Sequence, residues 1–510
     1  MNMTLKEIIH STCVKFSQRK AFMLKEDKKI YSLTFDEFEK RVIRLSNGFA
    51  AMGLSGSRVI VSSKNSYEWV LSAVAAIYAG CVIVPLDASL PIEEYTRIVD
   101  RSGAKAIIYA KDIEEKCACQ KIEHTVCYDD LASLESDAVM EVATASKDEL
   151  AVILFTSGTT SNSKAVMLSH DNIVSNVLSL SKWEDFRCDD IYLALLPFFH
   201  AFGIVGFLVY FYHGACSCFC EGLRIKKAFT DYHVTAFVAV PLILDKMKTN
   251  IMAHIEKTGM TKKFNFARSL SRFLLKFGID VRRKLFATVH QSLGGGIRLI
   301  ISGAAAISPE TANFYNDIGL LLIQGYGLSE TAPVLSAENP THMRLGSVGK
   351  AIPDVEVKIY EPDSKGIGEI IARGPNVMLG YMDEESPIYD GWFHTGDIGY
   401  IDKDGYLFIC GRKKNVIVLP NGENVFPEET ESKLNDIDGV VESVVVMTGE
   451  KSVIGAIIVY DPEVTTTEAI DESVAEINKT LAEFKKIRSV EYRTEEFIKT
   501  STGKIKRNKI

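Results

Sequence analysis

The sequence predicts an α/β protein: a large N-terminal domain of parallel-type sheets with helices, ending in a β-rich subdomain, and then a small α+β domain. Three observations support this prediction. Short apolar runs alternate with amphipathic stretches through most of the chain, which is typical of parallel sheets covered by helices. After about Leu345, short strands separated by Gly, Asp and Asn dominate. After about Arg412, the pattern changes again to mixed strands and helices.

The elements of the first domain are predicted from its apolar runs and from the stretches between them. Apolar residues that recur at helical spacing predict helices over Glu68–Ala79 and Ile92–Ser102. The predicted strands are Arg58–Ser62, Cys81–Pro85, Ala106–Tyr109, Ala151–Phe155, Ala236–Val240 and Arg298–Ile301.

One segment of this domain, Ile191–Cys220, contains no charged residue. A hydropathy window alone would interpret it as a transmembrane helix. Because Pro197, His200 and Gly203 interrupt the segment, and Cys and Ser alternate at its end, we expect a buried helix followed by a buried strand.

The second half of the chain has shorter elements. The strands predicted in the β-rich subdomain are Val355–Tyr360, Gly368–Ala372 and Gly405–Cys410. The segment Gly411–Gly422 starts with basic residues and ends in Pro-Asn-Gly, which predicts a hinge. Helices are expected near Pro427–Asn435 and Glu468–Phe484. The predicted domains are 1–411, including the β-rich subdomain 345–411, and 412–510.

Composition excludes several classes of protein. The chain has 510 residues, of which 47% are hydrophobic and 24% charged, so it is neither disordered nor a disulfide-rich miniprotein. Its net charge of -8 argues against general electrostatic binding to nucleic acid. Its 10 cysteines lack the spacing of a zinc site, which indicates buried thiols and a cytoplasmic compartment. The first residues show no apolar core of a signal peptide.

A basic segment covers residues 262–284. Its basic residues are Lys262, Lys263, Arg268, Arg272, Lys276, Arg282, Arg283 and Lys284, against the single acid Asp280. Apolar residues recur in it at helical spacing. Two interpretations stay open: a solvated helix that packs by one face, or a peripheral helix at a membrane surface that meets an insoluble substrate.

A loop rich in hydroxyl residues follows the predicted strand that ends at Phe155. The segment Thr156–Lys164 reads Thr-Ser-Gly-Thr-Thr-Ser-Asn-Ser-Lys. Small side chains let backbone N–H groups approach phosphate oxygens, hydroxyls add donors, and lysine supplies a compact positive charge. The loop is not a Walker A motif, because Ser163 precedes the lysine and Ala165 follows it. An ordinary polar loop remains the alternative.

The loop resembles the phosphate-binding loop of the adenylate-forming superfamily, which includes acyl-CoA synthetases, 4-coumarate–CoA ligases, firefly luciferase and peptide-synthetase adenylation domains. Six further segments resemble motifs of that superfamily, in the same order and along nearly the whole chain. They are Leu196–His200, Ser302–Ala306, Gln324–Thr331, Gly391–Asp397, Gly411–Lys414 and Thr500–Lys504. The stretch from Arg283 to Gly295, with the basic residues before it, looks most like the long-chain acyl-CoA synthetase branch.

This resemblance implies a reaction in two steps that uses ATP, Mg²⁺ and coenzyme A. A carboxylate, expected to be a medium- or long-chain fatty acid, attacks the α-phosphate of ATP and releases pyrophosphate. Coenzyme A then displaces AMP from the acyl-adenylate. Since two anions must meet, positive charge and hydrogen-bond donors have to offset their repulsion. Residues 1–411 would be the adenylation domain and 412–510 a mobile lid.

The resemblance also implies which residues contact the nucleotide. The phosphate loop would supply Thr156, Ser157, Gly158, Thr159, Thr160 and the catalytic Lys164. Glu330 would ligate Mg²⁺, a cation that prefers oxygen, and Thr331 would donate to the α-phosphate. Asp397 would accept both ribose hydroxyls. The other implied contacts are Gly303, Ala304, Gln324, Gly325, Tyr326, Gly327, Ile409 and Arg412, which would also be catalytic.

Two further residues would act beside the reacting atoms. Lys504 would bond the carboxylate and bridging oxygens in the first step, and His200 would border the acyl pocket. Rotation about Lys414 would exchange the faces that the C-terminal domain presents in the two steps. The implied walls of an apolar acyl tunnel are Phe198, Phe202, Ile204, Phe207, Val240 and Leu242.

The chain departs from the superfamily pattern in its phosphate loop. Ser161, Ser163 and Ala165 stand where Gly, Pro and Gly are common, so the loop has less freedom at positive φ. Alternative enzymes are an acyl-AMP ligase that loads an acyl carrier protein and an aryl-CoA ligase. A degenerate nucleotide-binding scaffold is the alternative outside the enzyme class.

Overall fold

The computed structural model describes residues 3–26, 29–156, 163–220, 224–419, 423–448, 453–499 and 505–510. These residues divide into two units. The first contains the chain up to Thr156, Ser163–Glu356 and Arg373–Ile388, and the second contains Val357–Ala372 and Tyr389–Ile510. The division places the β-rich strands in one unit with the C-terminal residues, and the domain boundary near Arg412 stays a prediction.

The elements are numbered here in chain order. The helices are α1 (Leu5–Lys15), α2 (Phe35–Ala51), α3 (Tyr67–Tyr78), α4 (Ile92–Ser102), α5 (Glu114–Ala118), α6 (Leu131–Leu134), α7 (His170–Trp183), α8 (Ala201–Tyr212), α9 (Ile225–Tyr232), α10 (Pro241–Lys257), α11 (Thr261–Leu275), α12 (Arg282–Leu285), α13 (Ala287–Ser292), α14 (Pro309–Asp317), α15 (Pro427–Asn435) and α16 (Thr467–Thr480). The strands are β1 (Lys20–Glu26), β2 (Lys29–Thr34), β3 (Arg58–Ser62), β4 (Val82–Pro85), β5 (Ala106–Tyr109), β6 (His124–Cys127), β7 (Leu150–Thr156), β8 (Lys164–Ser169), β9 (Ile191–Leu193), β10 (Cys216–Cys218), β11 (Ala236–Ala239), β12 (Leu299–Ser302), β13 (Leu321–Gly327), β14 (Val334–Ala337), β15 (Lys350–Ala351), β16 (Glu356–Tyr360), β17 (Gly368–Arg373), β18 (Gly380–Tyr381), β19 (Ile388–Tyr389), β20 (Trp392–Ile401), β21 (Leu407–Arg412), β22 (Ile417–Val418), β23 (Asn424–Val425), β24 (Val440–Thr448), β25 (Val453–Tyr460) and β26 (Ser489–Arg493).

The first unit contains two large sheets. One has the order β18-β8-β7-β4-β3-β5-β6, and the other has the order β15-β14-β13-β12-β11-β9-β10-β1-β2. Their central neighbours pair in parallel, as β3 does with β4 and β5, and β12 with β11 and β13. Antiparallel pairs such as β7–β8 and β13–β14 lie toward the edges. The predicted α/β class with parallel-type sheets is confirmed.

Each sheet is covered by helices that bury an apolar face. Phe237, Ile300 and Leu322 from β11, β12 and β13 share a buried cluster with Phe314 and Tyr315 of α14. A second cluster joins the strands of the other sheet to α4. Burial of each large apolar side chain contributes about 1.5–3 kcal/mol, so these contacts fix the strand ends on which the site residues lie.

The second unit contains smaller sheets. One has the order β16-β17-β20-β19 with β21 paired to β20, and the other has the order β24-β25-β26. Helices α15 and α16 contribute Leu434, Ile470 and Val474 to a core with the second sheet. The predicted helix over Pro427–Asn435 is confirmed with the same bounds.

Most predicted elements of the first unit are confirmed, and the uncharged segment forms the buried helix α8 and the buried strand β10. Among the described residues, no helix is long and apolar enough to cross a membrane. The last predicted helix ends earlier than expected, at Thr480, because Leu481 is extended and residues 483–485 form a separate turn. The strand predicted from Gly405 begins at Leu407, because Gly405 lies in a turn at φ +84°.

A buried acid, Asp190, connects three segments of the first unit through hydrogen bonds. Asp190 Oδ1 accepts hydrogen bonds from Thr235 Oγ1 at 2.7 Å and from Arg298 Nε at 2.8 Å. Its Oδ2 accepts from the backbone N–H of Arg187 at 3.0 Å. The side chain of Asp190 is only 2% exposed. Loss of its charge would therefore leave the Arg298 guanidinium without its buried partner.

We expect Asp190→Asn to lower the free energy of unfolding by about 3–5 kcal/mol, because a buried ion pair would lose one partner. Urea unfolding followed by circular dichroism measures this change. The matched control is Asp189→Asn at the exposed neighbouring position. Equal stability of the two variants would contradict the structural role of Asp190.

Candidate active site

The flanks of the predicted phosphate loop are held side by side by strand pairing. Thr156, the last residue of β7, lies opposite Lys164, the first residue of β8, and its hydroxyl lies 3.4 Å from the Lys164 carbonyl. Antiparallel pairing therefore places Lys164 at the base of the loop. Ser157, Gly158, Thr159, Thr160 and Ser161 lie outside the described residues. Their contacts with phosphate stay predictions.

Lys164 and Glu330 share one aromatic neighbour. The Lys164 ammonium lies 4.2 Å from the centre of the Tyr381 ring, and the Tyr381 hydroxyl donates to Glu330 Oε1 at 2.8 Å. Glu384 Oε2 lies 3.6 Å from the same ammonium. The structure thus brings together the cation and the carboxylate that the sequence assigned to phosphate and Mg²⁺. Tyr381 was missed because only its two-residue strand, paired with β8, places it there.

Arg101 is a second residue that the sequence did not indicate. Its guanidinium donates to the carbonyl of Ser163 at 2.7 Å and lies 5.5 Å from the centre of the Phe155 ring. It also donates to Asp383 Oδ2 at 2.9 Å. Arg101 therefore contacts both flanks of the loop. In the sequence it is one charge at the end of α4, with no motif around it.

The turn after β13 is tightly packed. A Cβ on Gly327 would lie 1.8 Å from the carbonyl oxygen of Pro333, so a side chain is excluded there. The buried hydroxyl of Thr331 donates to that same oxygen at 2.6 Å and accepts from the backbone N–H of Leu328 at 3.0 Å. These bonds position Glu330 at the edge of the turn. Donation from Thr331 to the α-phosphate stays a prediction.

The predicted adenine-side loop meets the predicted acyl pocket. A Cβ on Gly303 would lie 2.6 Å from the ring of Phe202, so the ring packs directly on this backbone. The next residue, Ala304, has φ +68°, an uncommon value for a residue with a side chain. Gln324, Gly325 and Tyr326 lie on β13, next to β12, which leads into this loop.

Of the implied acyl-tunnel residues, Phe202 lines an apolar cavity of the first unit. His200 is the N-cap of α8, and its ring lies 4.5 Å from that of Phe199. Phe198 and Phe207 pack on each other at 5.7 Å, and Leu242 is exposed. Ile204 is buried in α8, and Val240 precedes α10. The roles of His200, Ile204 and Val240 at the substrate stay predictions.

The predicted ribose carboxylate forms an ion pair in the second unit. Asp397 and Arg412 lie opposite each other on β20 and β21, and Arg412 Nε lies 2.7 Å from Asp397 Oδ1. Asp397 is buried, and Ile409 lies on the same strand as Arg412. Lys414 lies in the short turn that follows β21, where its role as hinge stays a prediction.

Two buried acids, Glu442 and Glu431, form ion pairs with the segments before and after the predicted C-terminal motif, Thr500–Lys504. Lys499 Nζ lies 2.9 Å from Glu442 Oε2, and Arg507 pairs with Glu431. The backbone N–H of Lys506 donates to the carbonyl of Ile498 at 2.8 Å. Arg507 therefore has a structural role in this unit. Lys504 lies outside the described residues, and its catalytic role stays a prediction.

The donor set fits Mg²⁺ better than a transition metal. Among the described ranges, no three His, Cys, Asp or Glu residues lie close enough to hold a metal ion. Mg²⁺ is usually held by one or two carboxylates together with substrate phosphates, and Glu330 beside Lys164 offers such a carboxylate. The ion would offset phosphate charge there when bound.

Comparisons with known proteins show which family and fold the chain shares. The family "AMP-binding enzyme" matches residues 10–382, and "AMP-binding enzyme C-terminal domain" matches residues 414–510. Fatty acyl-CoA synthetase B from Dictyostelium discoideum is 26% identical over 93% of this chain and 80% of its own length. Feruloyl-CoA synthase from Amycolatopsis is 27% identical over 94% and 93%. ATP-bound MatB from Rhodopseudomonas palustris has a TM-score of 0.78 at 25% identity, covering 100% of this chain and 98% of its own.

The fold and the motif order define an adenylate-forming enzyme. The chain belongs to the AMP-binding enzyme family. It is an AMP-forming acid–CoA ligase: it activates a carboxylic acid with ATP to an acyl-adenylate and then to a CoA thioester, with ATP, Mg²⁺ and coenzyme A as its cofactors and cosubstrates.

We expect Tyr381→Phe to weaken the apparent affinity for Mg²⁺ by about 10-fold or more, because the predicted ligand Glu330 loses a hydrogen bond that orients it. The phenyl ring would still lie beside Lys164. The Mg²⁺ dependence of pyrophosphate release at saturating ATP measures the effect. The control is Tyr31→Phe, remote from this site and 44% exposed. An unchanged Mg²⁺ midpoint would contradict the positioning of Glu330 by Tyr381.

Proposed function

We propose that the acid activated by this enzyme is a medium- or long-chain fatty acid. The observation that supports this substrate class is an apolar cavity along α8. One wall is a single face of the helix, formed by Phe202, Val205, Gly206 and Val209. The opposite wall comes from β11, β12 and β13 through Val238, Ile301 and Ile323, respectively. A spacing of three and four residues keeps the α8 side chains on one face.

The cavity has the position of a substrate pocket. It holds about 520 Å³ of empty space, part of which is open to solvent. Since Phe202 also packs on Gly303 of the predicted adenine-side loop, an acid in the cavity would present its carboxylate toward the nucleotide. Burial of an apolar chain here would supply binding energy at about 25 cal/mol per Å².

Charged residues would carry the first step. Lys164 and Mg²⁺ at Glu330 would offset the charge of the triphosphate, and Lys504 would draw the substrate carboxylate toward the α-phosphate. Asp397, with Arg412 beside it, would orient the ribose. The second step needs the thiol to approach from another side, which rotation about Lys414 would permit.

The substrate class is tested with a panel of saturated acids from two to eighteen carbons and of aromatic acids. We expect pyrophosphate release and acyl-CoA formation to be fastest with an aliphatic acid of eight or more carbons. Val205→Phe should lower kcat/KM for that acid by about 10-fold or more, since it fills the middle of the cavity.

Val205→Ile, which adds one methyl group, is the matched control and should have a smaller effect. A panel on which aromatic acids are best would replace this proposal with an aryl-CoA ligase. Faster transfer to a holo acyl carrier protein than to coenzyme A, measured by product mass, would identify the carrier as the acceptor.

We also propose a cytoplasmic enzyme that contacts membranes through residues 262–284. All 10 cysteines are free. Phe266, Phe273 and Phe277 expose 70%, 56% and 67% of their surface around α11. Arg268 and Arg272 are held by Asp317 at 2.8 and 2.6 Å, so they fix the helix to α14. Exposed lysines of the segment are Lys262, Lys263, Lys276 and Lys284.

Aromatic rings beside lysines suit an anionic lipid surface, where each basic side chain contributes about 1 kcal/mol. We expect the protein to sediment with phosphatidylglycerol vesicles but not with phosphatidylcholine vesicles, and to be released by salt. The triple variant Phe266→Ser, Phe273→Ser, Phe277→Ser should lose this binding. Val139→Ser, a remote position that is 93% exposed, is the control. Absence of binding to anionic vesicles would contradict the proposed membrane contact. Helix α11 would then be a solvated helix that packs by one face.

A further inference from the structure

We propose that Glu369 is a positioning residue for nucleotide recognition: its carboxylate holds the turn that carries Asp397 and so sets how the enzyme selects the ribose hydroxyls of ATP. This inference rests on the proposed function, in which Asp397 orients the ribose. It adds a residue of β17 that acts through the neighbours of Asp397 and Arg412 rather than on the nucleotide itself.

The turn that carries Asp397 is an irregularity in strand β20. Across the sheet, Glu369 lies opposite Ile398 and Ile371 lies opposite His394. Two steps along β17 thus correspond to four steps along β20, so the strands lose their regular register over this turn. Bulges of this kind re-aim a side chain and are frequent beside active sites. The side chain that this bulge carries is the buried Asp397.

The bulge is bonded to β17 through a side chain and through the backbone. The backbone N–H of Gly396 donates to Glu369 Oε1 at 3.2 Å, and Gly396 has φ +70°, in the region that favours glycine. The Thr395 hydroxyl donates to the carbonyl of Ile370 at 2.7 Å and accepts from the backbone N–H of Asp397 at 3.0 Å. Glu369 therefore supplies the side-chain acceptor for the residue directly before Asp397.

The second carboxylate oxygen of Glu369 contacts the other strand of the pair. Its Oε2 lies 2.8 Å from Lys413 Nζ and 3.2 Å from His394 Nδ1. Lys413 directly follows Arg412, which forms the ion pair with Asp397. One carboxylate thus contacts a sequence neighbour of each member of the Asp397–Arg412 pair.

The environment of Glu369 keeps its carboxylate charged. The residue is only 8% exposed, and burial alone would raise its pKa, but hydrogen bonds from Lys413 and His394 outweigh burial and lower the pKa. The His394 ring is held by edge contacts with Tyr360 at 4.9 Å and Tyr389 at 5.3 Å. Hydrogen bonds to an ionised acceptor are roughly twice as strong as neutral ones, so Glu369 is a strong acceptor for the bulge.

The sheet itself does not require an acid at this position. Backbone groups form the ladder between β17 and β20, and the side chain of Lys413 is 63% exposed, so water can solvate its charge. The group that needs a side-chain acceptor is the N–H of Gly396 in the bulge. The observed contacts therefore favour a role in placing Asp397 over a role in sheet stability alone.

Loss of the Glu369 carboxylate should have a specific effect on ribose recognition. The Gly396 N–H would have to find another acceptor, which would shift the turn and the Asp397 carboxylate with it. A displacement of about 1 Å is enough to weaken a positioned contact strongly. The advantage of ATP over an analogue without a ribose hydroxyl should then disappear, whereas a general loss of stability would lower the rates with both nucleotides together.

The test compares ATP with 2′-deoxy-ATP and 3′-deoxy-ATP, using the full-length enzyme and the acid that reacts fastest in the substrate panel. The ratio of kcat/KM for pyrophosphate release, ATP over deoxy analogue, is measured for each variant. We expect the unmodified enzyme to prefer ATP over at least one analogue by about 10-fold or more. The ratio should fall toward one in Glu369→Ala. It should be intermediate in Glu369→Gln, whose amide oxygen can still accept from Gly396.

Two further variants calibrate the ratio. Asp397→Asn should bring it near one. Glu442→Ala is the matched control, because Glu442 is also a buried acid of this unit that accepts from a backbone N–H, that of Phe497 at 2.6 Å, and pairs with a lysine, Lys499 at 2.9 Å. Its loss should lower the rates with all three nucleotides together and leave the ratio unchanged.

The outcomes separate this inference from the proposed function. A ratio that stays unchanged in both Glu369 variants while Asp397→Asn brings it near one would overturn the inference alone, as would an equal fall in Glu442→Ala. If Glu369→Ala does not fold, as judged by circular dichroism, Glu369→Gln decides by the same criterion. A ratio near one in the unmodified enzyme, or an unchanged ratio in Asp397→Asn, would overturn the proposed ribose contact and this inference with it.

Discussion

In the first unit, the candidate site residues that the structure describes depend on a short strand, β8. This strand is hydrogen-bonded to β7 on one side and to β18 on the other. The first pairing sets Lys164 opposite Thr156 at the base of the predicted phosphate loop. The second brings Tyr381 beside Lys164 and within hydrogen-bond distance of Glu330. Because both pairings use backbone groups, they tolerate changes of side chain such as Ala165, which lies buried in β8.

The reaction requires a polar, positively charged region and an apolar region close together in one site. Phosphate and carboxylate need positive charge, whereas an acyl chain needs an apolar surface. Lys164 and Arg101 lie at the flanks of the predicted phosphate loop. Helix α8 starts at Ala201, directly after its N-cap His200, packs Phe202 against Gly303, and continues along the apolar cavity. A single helix thus connects the polar and apolar parts of the first unit.

Much of the fold could be predicted from the sequence, because apolar runs such as Ala106–Tyr109 and amphipathic ones such as Ile92–Ser102 are local signals. Candidate site residues inside motifs, such as Glu330 and Asp397, could be named from resemblance alone, and their roles stay predictions. Tyr381 and Arg101 could not, since pairing between distant strands and helix ends places them at the loop.

The pairing of Asp397 with Arg412 affects how substitutions in the second unit should be interpreted. Each residue is the other's neighbour across two strands, and the carboxylate is buried. Removing the guanidinium would leave a desolvated anion, so the loss would include more than Arg412's own contacts. Only a double-mutant cycle would separate the coupling energy of the pair from the predicted contact of either side chain with the nucleotide.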